Sequence, residues 1–417
     1  IVTMQQHQKY FPIFDQNNKL TNLFLLVANL PDKKNYIKIG NQRVIEARLS
    51  DAKFFWEKNK NQSLVKQVGK LKNLSFFNEL GTFYNRTQRL KKLAGMISEQ
   101  LYLNKGKIEI AASICKADLV SDLVGEYPEL QGVMGKYFAK EQGFEDDVSL
   151  AISDHYLPIG INSEVPKKPI SIAVSLIDKI DMLVGFFGIN EKPTSSKDPF
   201  ALRRAAIGLL RTIIENNLTI RLRDLIDYLI KIYTEQGVEQ SNKEASQDLI
   251  KFFRERMKNI LKDKKIRIDI VEASVSSHLN DDFLELYKKT LVMNKFISKD
   301  LGKNAVSTYK RASNILDQEK LVSKNGPDAV LFKHDEEKEL FEKINDIRKA
   351  FTLKEKTENY ENHLKLLSET KLSTDKFFDN VKVNDENKDI KNNRLELLQR
   401  LCSTFNSFVD FSKLEGT

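Results

Sequence analysis

The sequence is poor in the residues that build cross-linked or turn-rich folds. Its 417 residues include two cysteines, nine prolines and 17 glycines. Cys115 and Cys402 cannot supply a disulfide framework, and neither belongs to a Cys-x-x-Cys pair, so we expect a reducing compartment. The scarcity of glycine and proline argues against an all-β fold and favours helices. No apolar run approaches the roughly 20 residues of a membrane-spanning helix, and we predict a cytoplasmic protein without a membrane partner.

Common catalytic motifs are also absent from the sequence. It contains no Gly-x-x-x-x-Gly-Lys-Ser/Thr phosphate loop and no Gly-x-Gly-x-x-Gly dinucleotide fingerprint. The five histidines are scattered, and no two form a His-x-x-x-His pair: His7, His155, His278, His334 and His363. Cys115 has no neighbouring histidine that would activate it as a nucleophile. We therefore predict no catalytic residue, no metal site and no bound cofactor on this chain.

Positive charge is concentrated in two stretches of the chain. Of a formal net charge of +9, residues 1–100 contribute 17 basic and 7 acidic side chains, and residues 251–300 contribute 12 and 8. Residues 101–250 are net acidic, and residues 301–417 are balanced. Clustered positive charge favours a polyanionic partner, because neutralising phosphates releases counterions. A lysine-rich solvated surface would explain the composition equally well.

Hydrophobic periodicity predicts a mainly helical protein with a small β-containing start. Residues 19–29 hold a short apolar run between turn signals, which predicts a buried strand. Residues 50–52 predict a helix start. Because a strand is an odd beginning for a helical protein, we infer that a further β-containing region precedes residue 1.

Helices are predicted over most of residues 76–215. Leu90, Leu93 and Ile97 recur at helical steps and share one face. Residues 176–184 form an apolar helix that nevertheless carries Asp178 and Asp181. A further helix is predicted from residue 200, with Pro199 in its first turn and Asp198 as its N-cap.

More helices are predicted towards the C-terminus. Residues 251–267 hold eight basic and two acidic residues together with an apolar stripe. That pattern indicates a packed helix with a cationic back, which either faces a polyanionic partner or is solvated. Further helices are predicted at 306–316, 335–350 and 394–411, with a polar, turn-like segment at 380–392.

Two long motifs resemble the β subunit of bacterial tetrameric glycyl-tRNA synthetase. One runs from Asp118 to Gly135 and reads DLVSDLVGEYPELQGVMG; the other runs from Gly185 to Ala206 and includes KPTSSKDPFALRRAA. Shorter matching segments lie at 155–158, 309–316 and 377–383. The resemblance covers essentially the whole chain and implies that it is the C-terminal portion of that subunit.

The resemblance implies a glycine–tRNA ligase with α2β2 composition. Its α subunit carries the active site, with ATP and magnesium, and its β subunit binds tRNA-Gly. The implied domains are the end of an N-terminal body (1–70), a degenerate HD-like helical domain (71–219), a helical linker (220–300) and a helical anticodon-binding domain similar to that of arginyl-type synthetases (301–417). Under the alternatives, the chain is a metal-dependent HD phosphohydrolase or a non-catalytic helical scaffold.

The HD-like domain lacks the histidines that an active HD enzyme uses. Asp178 matches the position of the later metal-binding Asp in active HD enzymes. The His of the His-Asp pair is missing at Lys116–Asp118, and the first His is missing at Arg86–Thr87. Because imidazoles are the ligands that hold such transition metals, we expect Asp178 to cap or pair within the core.

The resemblance also selects candidate RNA-binding residues. Lys310, Arg311 and Asn314 share a helix of the anticodon-binding fold, where cations contact phosphates and an amide reads a base edge. Arg203 and Arg204 contact RNA or the α subunit, unless one pairs internally with Asp181 or Asp198. Trp56 is predicted to pack rather than stack on a base. The full predicted set is Lys310, Arg311, Asn314, Arg394, Arg203, Arg204, Arg86 and Lys91.

Overall fold

A computed structural model describes residues 1, 4–5, 8–160, 162–277, 281–319, 326–354 and 359–415. His7 and His278 lie outside the described residues. Packing divides the chain into two compact units, residues 1–250 and 251–417. Both are built mainly from helices, which confirms the predicted fold class. Among the described residues, none of the helices combines the length and the apolar character needed to cross a bilayer.

In the described part of the first unit, small antiparallel hairpins accompany a series of α-helices. The strands are β1 (Phe11–Phe14), β2 (Leu20–Leu25), β3 (Ser75–Phe77) and β4 (Gly81–Thr82), paired β1 with β2 and β3 with β4. The helices are α1 (Tyr36–Asn59), α2 (Leu64–Lys70), α3 (Phe83–Leu101), α4 (Lys105–Ile114), α5 (Asp122–Glu126), α6 (Val133–Glu141), α7 (Asp146–Asp154), α8 (Pro169–Gly188), α9 (Leu202–Glu215) and α10 (Leu222–Glu235).

Two predictions for the N-terminal region need correction. The strand at residues 19–29 exists as β2, but Leu20, Leu23 and Leu25 are 50%, 60% and 53% exposed, because among the described residues no second layer covers this hairpin. The helix start predicted at residues 50–52 lies inside α1. The true start signal is Asp32, whose carboxylate accepts hydrogen bonds from the first-turn amides of α1 at 3.2 and 2.9 Å.

Helix α8 is the centre of the first unit. It packs against α3, α4, α7, α9 and α10, and nearly its whole length is buried. A helix that is apolar on all sides is stable only inside a protein, and Pro169 suits its first turn. The same helix therefore carries Asp178, Lys179 and Asp181 into the interior.

The start of α9 differs from the prediction by two residues. The helix begins at Leu202 rather than residue 200, after Ala201 in a left-handed conformation with φ of 54°. The Asp198 carboxylate accepts hydrogen bonds from the backbone amides of Leu202 and Arg203 at 2.8 and 3.0 Å. Asp198 thus has the predicted capping role, although Pro199 precedes the helix.

Gly185, in the second distinctive motif, is required by the packing of α8 on α10. A Cβ at this position would lie 2.8 Å from Tyr233 Cζ and 3.0 Å from Leu80 Cδ1. Tyr233 cannot move aside freely, because its buried hydroxyl donates a hydrogen bond to the Asp181 carbonyl at 2.9 Å. The close approach of two helices therefore explains this glycine.

We expect Gly185→Ala to destabilise the first unit by about 1–3 kcal/mol through overpacking. Gly40→Ala in α1 is the matched control: nothing lies within 4 Å of its added Cβ, and alanine favours a helix interior by about 1 kcal/mol over glycine. Urea unfolding followed by Trp56 fluorescence measures both changes, since Trp56 is the single tryptophan. Equal effects of the two substitutions would contradict the packing explanation.

The second unit is a helical bundle. Helix α11 (Ala245–Asp263) contains the division at residue 250, and α12 (Ile268–Ser277), α13 (Phe283–Ile297), α14 (Asp300–Glu319), α15 (Asp335–Lys354), α16 (Tyr360–Ser368), α17 (Thr370–Asn380) and α18 (Lys388–Asn406) follow. Helix α14 packs against α13, α16, α17 and α18. The apolar stripe predicted at 251–267 is confirmed, with Phe253, Met257 and Leu261 fully buried.

The closing helix starts earlier than predicted. Helix α18 begins at Lys388, within the segment 380–392 that was predicted as a turn, and it ends at Asn406 rather than near Phe411. The Asn387 side chain accepts hydrogen bonds from the amides of Asp389 and Ile390 and so caps the helix. The first turn is exposed and polar, so hydrophobic periodicity could not reveal it.

Candidate nucleic-acid interface and buried charge cluster

Helices α3 and α8 are joined by a fully buried ion pair. The Arg89 guanidinium binds the Asp181 carboxylate with Nε–Oδ1 at 2.6 Å and Nη2–Oδ2 at 3.2 Å, and both side chains are 0% exposed. The guanidinium also lies 4.0 Å from the Tyr233 ring centroid. Two-pronged geometry of this kind is characteristic of strong arginine–carboxylate pairs.

Asp178, which lies one helical turn before Asp181 on α8, is held by two cations from other parts of the first unit. Its Oδ1 lies 3.0 Å from Arg86 Nη2 and 3.1 Å from Lys116 Nζ. Burial acts to raise the pKa of Asp178, but Arg86 and Lys116 outweigh it and keep that pKa well below its usual range. The expectation that Asp178 pairs within the core is confirmed.

A neutral histidine and a buried lysine complete the cluster. Lys116 Nζ lies 2.7 Å from His155 Nε2, and burial, reinforced by the Lys116 charge, lowers the pKa of His155. Lys179 Nζ donates to the His155 and Leu157 carbonyls at 3.1 and 2.6 Å and to the Ser175 hydroxyl. Burial lowers the pKa of Lys179 to about 7.

Asp118 explains the glycines of the first distinctive motif. Its Oδ2 accepts hydrogen bonds from the amides of Gly132 and Gly135 at 2.6 and 3.1 Å. Gly132 has a φ of 76°, and a Cβ at Gly135 would lie 2.9 Å from that same oxygen. Burial raises the pKa of Asp118 to about 6. The two ends of the motif are thus joined through one buried carboxyl group.

The cluster does not fit a transition metal. Arg86 and Lys116, which lie where the HD resemblance would predict histidines, direct cationic groups at Asp178. In the part of the chain that the structure describes, no three His, Cys, Asp or Glu side chains are placed to hold an ion. These residues therefore support no metal-dependent step.

Two cavities adjoin the cluster. The larger, of about 540 Å³, is lined by residues that include Arg86, Lys116, Asp178, Lys179 and Arg204. The smaller, of about 260 Å³, is lined by Arg203, Arg204 and Arg211 among others. Arg204, Pro158 and Ala201 line both, so the cavities meet at the start of α9.

The structure buries two of the residues that were predicted to contact RNA. Arg86 is 5% exposed and pairs with Asp178. Arg394 is 2% exposed and binds Glu337 and Asp385, each at 2.8 Å. Both arginines are committed to buried ion pairs, because each helix face that carries them packs into the core. As folded, neither is presented to a phosphate in solution.

Other predicted residues of the first unit remain accessible. Lys91 is exposed on α3, next to Lys92, which pairs with Glu235 at 2.7 Å. Arg203 is half-buried and its guanidinium donates to the Thr194 carbonyl, so this side chain binds internally, but not to Asp181 or Asp198. Arg204 is exposed. Trp56 stacks on Phe138 with ring centroids 5.5 Å apart, which confirms its packing role.

Lys310, Arg311 and Asn314 lie on the outer side of α14. Arg311 reaches towards Asp375 and Asp379 at 3.4 and 3.7 Å, and its guanidinium lies 4.4 Å from the centroid of the Phe378 ring. Asn314 is exposed and Lys310 is half-exposed. Within the described ranges, neither of these two side chains has a hydrogen-bond or ion-pair partner. The structure therefore brings the three residues together on an accessible surface.

Comparison with known proteins identifies the family. A family model described as glycyl-tRNA synthetase beta subunit matches residues 1–276, which is well over half of the chain. The chain belongs to this family. A second model, the DALR anticodon binding domain, matches residues 305–411.

Two relatives of the glycyl-tRNA synthetase beta subunit family show how much of such a protein this chain represents. Both are named glycine--tRNA ligase beta subunit. The protein from Rhodospirillum centenum is 39% identical over 99% of this chain, and that from Rickettsia felis is 38% identical over 99%. The chain spans 59% and 60% of the length of these two relatives.

The family assignment divides the candidate residues between two regions. Lys310, Arg311 and Asn314 fall within the DALR match, whereas Lys91 and Arg204 fall within the synthetase match. Sequence reasoning missed Phe378, which lies under Arg311, and Lys179 in the buried cluster. It also missed the pairing of Lys116 with His155, since only the fold brings these residues together.

Proposed function

We propose that this chain is the tRNA-binding part of a glycine–tRNA ligase β subunit. It binds tRNA-Gly through the anticodon and backbone while an α subunit attaches glycine with ATP and magnesium, in a cytoplasmic α2β2 enzyme. The observation that carries the proposal is the overlap between the DALR match and the accessible surface formed by Lys310, Arg311 and Asn314.

The side chains of this surface suit single-stranded RNA. Asn314 offers an amide donor and acceptor that can read a base edge, as anticodon recognition requires. Lys310 offers an ammonium group to a phosphate. Among the described residues, the ion-pair partners of Arg311 are exposed carboxylates at 3.4 and 3.7 Å. Exposed ion pairs contribute about 0–1 kcal/mol, so exchanging these carboxylates for a phosphate has a small cost.

Alanine substitutions separate base reading from phosphate contact. We expect Asn314→Ala to weaken tRNA-Gly binding by about 1–3 kcal/mol and to reduce discrimination against an anticodon-substituted transcript. Lys310→Ala should weaken the binding of both transcripts equally. It should also reduce the slope of log K against log salt concentration by about 0.7. Fluorescence anisotropy with labelled transcripts at several salt concentrations measures both effects on the 417-residue chain.

Lys349→Ala is the matched control. Lys349 is exposed on α15 of the same unit, so its substitution removes one charge without touching the proposed surface. Unchanged affinity in the Lys310 and Asn314 variants would reject this surface and favour a scaffold role. A charging assay with the α subunit, comparing this chain with a full-length β chain, tests the role in aminoacylation, and we expect this chain alone to fail.

A further inference from the structure

Positive charge exceeds negative charge in the wall of the 540 Å³ cavity of the first unit. Four basic side chains line it, Arg86, Lys116, Lys179 and Arg204, against the carboxylates of Asp178 and Glu129. Three of the four, Arg86, Lys116 and Arg204, already outnumber the carboxylates, and Lys179 adds to them when it is protonated, since burial lowers its pKa to about 7. Asp178 is shared, since Arg86 and Lys116 both bind its Oδ1. Unbalanced charge in a partly desolvated wall is costly, and a bound anion relieves that cost.

The four cations have different partners. Every hydrogen bond that Lys179 Nζ makes goes to a neutral oxygen, those of the His155 and Leu157 carbonyls and the Ser175 hydroxyl. Among the described residues, the Arg204 side chain has no hydrogen-bond or ion-pair partner, and it is exposed. Arg204 also lines the adjoining 260 Å³ cavity. The exposed Arg204 guanidinium is therefore available at the mouth of the 540 Å³ cavity, and the other basic side chains lie in the cavity wall.

The adjoining cavity adds positive rather than negative charge. Arg203, Arg204 and Arg211 line it together with one carboxylate, Asp198. Both Asp198 oxygens already accept backbone hydrogen bonds from the start of α9. Among the described residues, the Asp198 carboxylate makes these backbone hydrogen bonds and none with the Arg204 side chain.

Aromatic and apolar side chains form the rest of the larger cavity. Tyr156, Phe200 and Met182 line it. Phe200 is held in place by stacking on Phe186, with centroids 4.1 Å apart and ring planes at 20°. A volume of about 540 Å³ falls within the usual range of small-molecule pockets, about 300–1,000 Å³. The cavity thus combines anion-binding groups with surface for a planar ring.

We propose that this cavity binds a phosphate-bearing ligand without hydrolysing it. Arg204 at the mouth and Lys116 in the wall bind the phosphate, and Tyr156 and Phe200 face the attached ring. A free nucleotide and the phosphorylated end of an RNA share this chemistry. The inference is independent of the anticodon surface, which lies in the other unit.

Titration calorimetry with defined probes tests the site. We expect adenosine 5′-monophosphate to bind the 417-residue chain at least tenfold more tightly than adenosine, and inorganic phosphate to compete with it. Arg204→Met should weaken adenosine monophosphate binding about tenfold, which is about 1.4 kcal/mol, because one charge-assisted hydrogen bond is lost. Arg204 is exposed and its side chain has no hydrogen-bond or ion-pair partner in the described ranges, so this variant is expected to fold.

Arg43→Met is the control, since Arg43 is exposed on α1 and distant in sequence from every lining residue. Competition by a 5′-phosphorylated oligoribonucleotide, but not by its 5′-hydroxyl form, would assign the phosphate to an RNA end; no competition by either would assign it to a free nucleotide. Absence of phosphate binding, equal binding of adenosine, or an Arg204→Met variant that behaves like Arg43→Met would overturn the proposal. Lys310→Ala and Asn314→Ala should leave adenosine monophosphate binding intact, so the two proposals can fail separately.

Discussion

Replacing Asp181 with asparagine is expected to lower the free energy of unfolding of the first unit by about 3–5 kcal/mol. The substitution leaves Arg89 charged and 0% exposed, without the carboxylate that binds its Nε and Nη2. An asparagine keeps one oxygen but presents an NH₂ group to the second guanidinium donor. Breaking one side of a buried pair costs far more than an exposed pair contributes.

An exposed ion pair that shares helix α3 with the buried pair gives the control. Lys92 of α3 binds Glu235 of α10 at 2.7 Å, but both side chains are largely exposed. Glu235→Gln should therefore cost less than about 1 kcal/mol. Urea unfolding followed by Trp56 fluorescence reports on the first unit, where Trp56 stacks on Phe138. Similar losses in the two variants would show that burial does not govern the strength of these pairs.

A compensating double variant separates charge from packing. Arg89→Met with Asp181→Leu removes both charges and keeps side chains of similar length. Buried pairs replaced by apolar residues of similar volume are often neutral in stability, so the double variant should recover most of the loss. If it is as unstable as Asp181→Asn, hydrogen bonds to the surrounding backbone, rather than the unpaired charge, dominate.

Sequence patterns could reveal that carboxylates enter the core but not what neutralises them. Residues 176–184 are apolar enough to be buried, so Asp178 and Asp181 needed partners. Those partners lie 92 residues earlier in both cases. The spacing is the missed signal: Arg86 and Arg89 are three residues apart on α3, as the two aspartates are on α8. Equal one-turn spacing lets two pairs form side by side when the helices pack together.

The prediction for Arg394 gave residue type more weight than position, and the structure places this side chain in a buried ion pair. Leu398 and Leu401 follow it by four and seven residues and are fully buried, so Arg394 shares the core-facing side of α18. The same periodicity that correctly placed Leu90 and Leu93 in the core was available here. By contrast, the exposed position of Leu23 depends on what covers the β1–β2 hairpin, which no local pattern contains.

The buried charges around Asp178 in the first unit show how a position that resembles a metal-binding one can carry different chemistry. Asp178 occupies the position of a metal-binding carboxylate in the HD resemblance, yet Arg86 and Lys116 neutralise it. Two cationic side chains thus supply the positive charge that an ion would otherwise bring. The consequence is a rigid, charged wall beside a cavity, suited to binding an anion rather than to activating water.

Glu337→Gln is expected to destabilise the second unit by about 3–5 kcal/mol. Glu337 is 0% exposed, and both of its oxygens are used. Oε1 accepts from Arg394 Nε at 2.8 Å, and Oε2 accepts from the amides of Lys333 and His334 at 2.7 and 2.8 Å. Losing the charge leaves Asp385 as the carboxylate that binds Arg394 among the described residues. The NH₂ group of glutamine then faces either the Arg394 guanidinium or the two backbone amides, and all of these are donors.

Hydrogen exchange measured by mass spectrometry tests this prediction, because the second unit contains no tryptophan. We expect amides of α15 and α18 to exchange at least about 100-fold faster in Glu337→Gln, since every 1.4 kcal/mol is a factor of ten. Glu339→Gln on the same helix is the control; its exposed pair with Lys376, at 3.1 Å, should contribute less than about 1 kcal/mol. Equal exchange in the two variants would mean that Arg394 is not anchored by Glu337, and its assignment as a buried structural residue would have to be abandoned.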